Sequence, residues 1–168
     1  MKQTLKYIYG IVYDDMKFAE SKHSIVLTLS GAVIAFASTF FSDNNIQTLL
    51  AVASIIFSLI AILYSFVALL ARHVRIKQKK HLKKDPNLLS YKDIIRYDAK
   101  GYTSAILKDY DFLKGYKSDK MDLDLADEII TTSKLAWIKF LYFNLAVLFL
   151  IASIVTLILS VIIRGKVI

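Results

Sequence analysis

The sequence contains no cysteine, and its single proline is Pro86. The first absence excludes disulfides, thiolate metal sites and cysteine nucleophiles together. The second leaves long stretches free of the residue that breaks helices. A third absence is charge: no Asp, Glu, Lys, Arg or His lies within residues 24–41, 46–71 or 140–163. A soluble helix alternates polar and apolar faces, whereas these runs are apolar all round. A bilayer core of roughly 30 Å takes about 20 apolar residues of helix, so each run can span it. The expected fold is therefore an all-α membrane protein with three transmembrane helices.

Charge sits outside those runs and is uneven. The formal net charge is +8. The connection 42–45 (SDNN) carries no cation, whereas Arg72, Arg75, Lys77, Lys79, Lys80, Lys83 and Lys84 crowd the stretch after the second run. The positive-inside rule places that stretch and the N-terminus in the cytoplasm and SDNN outside. Three spans then put the C-terminus outside, although Arg164 and Lys166 weigh the other way. Cations directly below a span act as a topology signal and an anchor on anionic lipid. No aromatic strip of the kind that stacks bases is interleaved with them, so no nucleic-acid partner is expected. The first run follows mixed-charge residues without a small-residue cleavage pattern, unlike a signal peptide.

One membrane domain over 1–168 is expected, with cytosolic segments at 1–23 and 72–139 too short to build independent cores. Leu5, Ile8, Val12, Met16, Ala19, His23 and Val26 follow alternating steps of three and four. Leu123, Ala126, Ile130, Ser133, Trp137, Phe140, Asn144 and Val147 repeat the pattern. These are seams at coiled-coil spacing, and the two are expected to pair. Gly10 is the weak point of the first, and Gly101 weakens a helix expected over 99–113. The second span is expected to continue into its basic tail until Pro86. Residues 87–100 predict a loop with a short turn, and a long helix into the third span is expected from about Asp119. Gly31 and Ala35 form a small-xxx-small pair in the first span. The predicted whole is a three-helix bundle on a cytosolic helical stalk, assembled as a homo-oligomer.

Several chemistries find no support. Ion-coupled transporters place ionisable groups at membrane depth, and none lies there. Ser30, Ser54, Ser58, Asn144 and Ser153 are expected to bond between helices. His23, His73 and His81 do not form a helical ligand pair, and no nucleophile–base pair is present. Asp119, Asp122, Asp124, Asp127 and Glu128 open a helix, where acids favour the dipole, so no metal is expected there. No cofactor and no enzymatic activity are expected.

Three segments carry a resemblance. AESKHSIVLTLSG (19–31) runs straight into the first span, NLLSYKDIIRYDAKGY (87–102) follows the second, and LADEIITTSKLAWIKF (125–140) leads into the third. In this order they resemble the Pycsar transmembrane effector family, with its Ala-Asp-x-Lys-Ala-Ser opening, its aromatic-x-Asp-Ile loop and its Ser-Lys-x-x-x-x-Lys-Phe run. Glu20, His23 and Ser30 depart from the family pattern. The resemblance implies an antiphage effector in the bacterial inner membrane, triggered by a cyclic nucleotide of the pyrimidine mononucleotide class. If the two seams pair, Lys22, Lys134 and Lys139 converge near Glu20 and offer an anionic phosphate charge-assisted donors. Lipid headgroups would equally draw Lys22 and Lys139. Tyr91 and Asp93 are candidates to cover base or sugar on the resemblance alone. A scaffold recruiting a partner through the stalk and a constitutive pore-forming toxin are the competing readings.

Overall fold

In a computed structural model of the chain, residues 1–41, 45–71, 86–110 and 115–165 are described. They form five α-helices and no strand: α1 (Lys2–Ala37), α2 (Asn45–Leu70), α3 (Tyr91–Ile94), α4 (Ala99–Asp109) and α5 (Lys120–Gly165), with a 3-10 turn at Ser38–Phe40 after α1. The expected all-α fold is met. Windows of α1, α2 and α5 are long and apolar enough to cross a membrane. The basic run 72–84, the expected continuation of α2 to Pro86 and most of the SDNN connection lie outside the described residues.

The chain divides into two compact units, one of Met1–Ala19 with Ala71–Lys139, the other of Glu20–Leu70 with Phe140–Ile168. The physical reason for the first unit is pooling. Leu5, Ile8 and Val12 of α1 close one core with Leu88, Ile94, Tyr97, Tyr102, Ile106, Ala126, Ile129 and Ile130. Neither polar segment holds enough apolar surface alone, but together they bury several large side chains, each worth about 1.5–3 kcal/mol. The expected pairing of seams is realised here, with α1 and the start of α5 in one cluster.

In the other unit, Val26 packs with Ala61, Ala146 and Leu150, while Ala37 and Phe40 pack with Ala51 and Leu157. Tyr64 stacks on Phe149 at 5.6 Å between centroids. The first seam holds, since His23 and Val26 are buried. The second drifts: Trp137 and Phe140 are half-buried and Asn144 is exposed, while Ala146 and Leu150 turn inward. A straight helix slips about 20° per heptad against a strict three-four repeat, which carries Asn144 off the seam. Asn144 therefore does not turn inward to bond between helices as expected. Gly31 is likewise exposed, and a Cβ there would meet nothing within 4 Å, so no helix among the described residues approaches it closely.

Candidate functional site

The unit built from the polar segments is organised by side-chain to backbone bonds. Asp98 caps α4, its Oδ1 accepting from the Gly101 amide at 2.9 Å. A Cβ on Gly101 would stand 2.6 Å from that oxygen, so the glycine admits the cap as well as loosening the helix. α4 itself ends at Asp109, short of the expected 113. The Tyr102 hydroxyl donates to the Leu88 carbonyl at 2.6 Å, and burial pushes its phenol strongly up.

Tyr91 and Asp93 sit on α3, a single turn within the loop expected at 87–100. Asp93 is only 5% exposed; its Oδ2 accepts from the Asn87 amide at 3.1 Å, and Arg96 approaches its Oδ1 at 3.9 Å. Asn87 Oδ1 in turn accepts from the Leu89 amide at 2.9 Å. The Asn and Asp of this motif thus hold the loop's own shape. Tyr91 packs against the core, and burial raises its phenol pKa, with the nearby charge of Asp15 adding to the effect. Burial likewise raises Asp15 itself, helped by Asp14.

Two of the acids opening α5, Asp119 and Asp122, are committed to capping. Asp119 Oδ1 accepts from the Asp122 amide at 2.9 Å and Asp122 Oδ2 from the Asp119 amide at 3.1 Å, a reciprocal capping box with Asp as the returning acid. Tyr116 donates to the same Asp122 oxygen at 2.9 Å. Lys2 pairs with Asp119 at 2.8 Å. That bond, with the backbone bond beside it, holds the Asp119 carboxyl below the usual range. Lys2 is raised in return, chiefly by its hydrogen bond to Asp119.

Farther along α5, Lys134 is half-buried, and Lys139 is only 3% exposed. A lysine snorkelling to lipid headgroups keeps its ammonium in the open. Lys139 is not placed that way. Both lysines belong to the unit of Met1–Ala19 and Ala71–Lys139, as do Tyr91 and Asp93.

Glu20 and Lys22 open the other unit. The Lys22 ammonium lies 5.3 Å from the Phe140 ring centroid and 5.1 Å from that of Phe143. Such cation–π contacts are worth roughly 0.5–2 kcal/mol depending on desolvation. His23 meets Phe143 edge-on at 5.9 Å.

The same unit holds a row of buried polar groups. The inward face of α2 is Gln47, Ala51, Ser54, Ser58, Ala61, Ser65 and Ala68, without one large apolar side chain. The Ser54 hydroxyl donates to the Ser153 carbonyl at 2.9 Å, and the Ser153 hydroxyl to the Ser54 carbonyl at 2.7 Å. Ser58 and Ser153 hydroxyls are 2.7 Å apart, and Ser160 donates to the Gln47 carbonyl at 3.2 Å. Such bonds within membranes average about 0.6 kcal/mol. The bonding expected for Ser54, Ser58 and Ser153 is present, whereas the buried Ser30 and Ser65 hydroxyls have no hydrogen-bond partner among the described residues. Sequence reasoning passed over Gln47, Ser65 and Ser160. The steps of four and seven from Ser54 to Ser58 and Ser65 were the available signal.

Among protein families, the Pycsar effector protein domain matches residues 4–164. No curated protein and no solved structure matches the chain. The match begins in the first turn of α1 and ends in the last of α5, so it takes in all three candidate spans and the polar unit. The chain is a multi-pass membrane protein and belongs to the Pycsar effector family.

Proposed function

We propose that this protein is an antiphage effector that senses a cyclic nucleotide and breaches the bacterial inner membrane. The observation that carries the reading is the family match over 4–164, on a chain that joins three membrane-length helices to a separately cored polar unit. The polar unit is the proposed sensor and lies in the cytoplasm, on the side favoured by the cations at 72–84. Lys134 and Lys139 are the cations proposed to meet the phosphate, and burial of Lys139 supports a role other than lipid anchoring. Tyr91 contributes aromatic surface, and Asp93 shapes the loop that presents it. Glu20 and Lys22 are the candidates within the membrane unit.

Assembly is part of the proposal. Moving an equilibrium from mostly closed to mostly open takes about 5.5 kcal/mol of differential binding. Several identical sites acting together reach that more easily than one. Gly31, Ala35 and Asn144 are exposed among the described residues, and a partner protomer would give these small and polar positions a helix to pack against.

The test is membrane potential in cells expressing the protein and supplied separately with cyclic CMP and cyclic UMP. Depolarisation by either, abolished in Lys134→Ala at unchanged membrane insertion, is expected. If Lys134→Ala and Lys139→Ala both respond like the parent, the phosphate is held elsewhere. If neither nucleotide binds at micromolar concentration, a scaffold recruiting a partner through the polar unit replaces this reading.

A further inference from the structure

We propose that the inward hydroxyl face of α2, joined by Ser153 and Ser160 of α5, is the path that water and ions take when the membrane is breached. The proposal deepens the reading above and rests on its claim that the membrane becomes permeable. Its basis is the distribution of oxygen atoms across the membrane unit. The outward face of α2 carries Ile46, Leu49, Val52, Ile56, Leu59, Leu63, and further large apolar side chains, all exposed. A passage lined by that face would offer an ion no ligand, and apolar constrictions of this kind expel water. The inward face is the opposite, with Gln47, Ser54, Ser58 and Ser65 all buried on one stripe.

Length supports the same assignment. At about 1.5 Å per residue the row from Gln47 to Ser65 covers roughly 27 Å, close to the ~30 Å of hydrocarbon it must cross. Ser160 meets its outer end at Gln47, and Ser153 meets its middle at Ser54 and Ser58. In the described structure most of these hydroxyls spend their bonding on one another and on carbonyls, so the path is closed. Ser65 and Ser30 are different. Each buries a hydroxyl with no hydrogen-bond partner among the described residues, an arrangement that costs about 1–3 kcal/mol per group. Water entering the row would recover that cost at Ser65 and exchange bonds at Ser54, Ser58 and Ser153 without net loss. Opening is thereby favoured at the positions an ion would have to pass.

The absence of cysteine makes the test direct, because any thiol reactivity reports an introduced residue. Single variants Ser58→Cys, Ser65→Cys, Leu59→Cys and Leu63→Cys would be reconstituted in liposomes and treated with a charged, membrane-impermeant methanethiosulfonate, with and without cyclic CMP or cyclic UMP. Thiols react as hydrated thiolates, so the path positions should gain an order of magnitude or more in modification rate on triggering, while Leu59→Cys and Leu63→Cys stay unreactive. Modification at Ser58→Cys or Ser65→Cys should also reduce the nucleotide-evoked conductance. Ser65→Cys removes no hydrogen bond made by the described residues, so it guards against a variant that merely misfolds. Conductance with both serine positions unreactive, or with the leucine positions reactive instead, overturns the proposal and leaves the effector reading standing. If neither nucleotide evokes conductance in the parent protein, both readings are overturned.

Discussion

Two residues in the polar unit do work that their types conceal. Gly101 sits in the first turn of α4, where an alanine would ordinarily be the better helix former. Here the added methyl would press on the Asp98 oxygen at 2.6 Å. Gly101→Ala should therefore bring none of the usual gain in stability, because about 1 kcal/mol of lost cap offsets the roughly 1 kcal/mol that alanine adds to a helix. Thermal unfolding of the detergent-solubilised protein measures this, and a Tm clearly above the parent's would show that the cap moves aside freely. Asp93 is the second case. Its carboxylate holds the Asn87 amide, so its effect on any ligand passes through the shape of the 87–93 loop.

At the scale of the element, α5 is the informative helix, because its start is fastened by polar bonds and its far part is a membrane-length apolar run broken by the Ser153 and Ser160 hydroxyls. Asp119 and Asp122 satisfy amides at its first turn, and Lys2 ties that turn to the beginning of α1. The direction of the pH dependence follows from the two shifts. Asp119 lies below its ordinary 3.8, so its contribution is present above that value and lost as pH falls through the lowered pKa. Lys2 lies above its ordinary 10.5, so its contribution is present below that value and lost as pH rises through the raised pKa. The tie is thus intact across neutral pH, and its exposure leaves it weakened by salt. An NMR titration should find the Asp119 carboxyl below 3.8 in the parent and returned toward it in Lys2→Met. An unchanged Asp119 titration in that variant would show that the capping amides alone hold it down.

For the whole molecule, the division into two units matters more than any single contact. It gives the chain one part with a water-soluble type of core and another whose large apolar side chains face outward. If the cations of 72–84 lie in the cytoplasm, as proposed, three spans would place the C-terminus outside. A reporter active only in the cytoplasm should be silent when fused after Ile168 and active at the N-terminus. Activity at both ends would mean an even number of spans. Cross-linking in membranes should give a ladder of homo-oligomers, shortened by Gly31→Leu if that outward face is the contact. A monomer at all concentrations, with and without nucleotide, would remove assembly from the mechanism.

The sequence by itself determined that the chain is helical, that it has three membrane-length runs, and that its first seam faces a partner. Hydrophobicity and periodicity are local properties, and a bilayer or a core answers to them directly. The family motifs were also local, and the match over 4–164 agrees with them. Only the tertiary structure decided which neighbour each polar group meets. The loop residues Asn87 and Asp93 satisfy one another's surroundings, Lys139 is buried, and Asn144 drifts off its seam as the helix turns. Two polar segments too short to fold alone share one core, because burial adds over whatever surfaces meet in space. The hydroxyl row was written in steps of four and seven along α2, but its inward aim depends on the faces that α1 and α5 present, which no window of sequence contains.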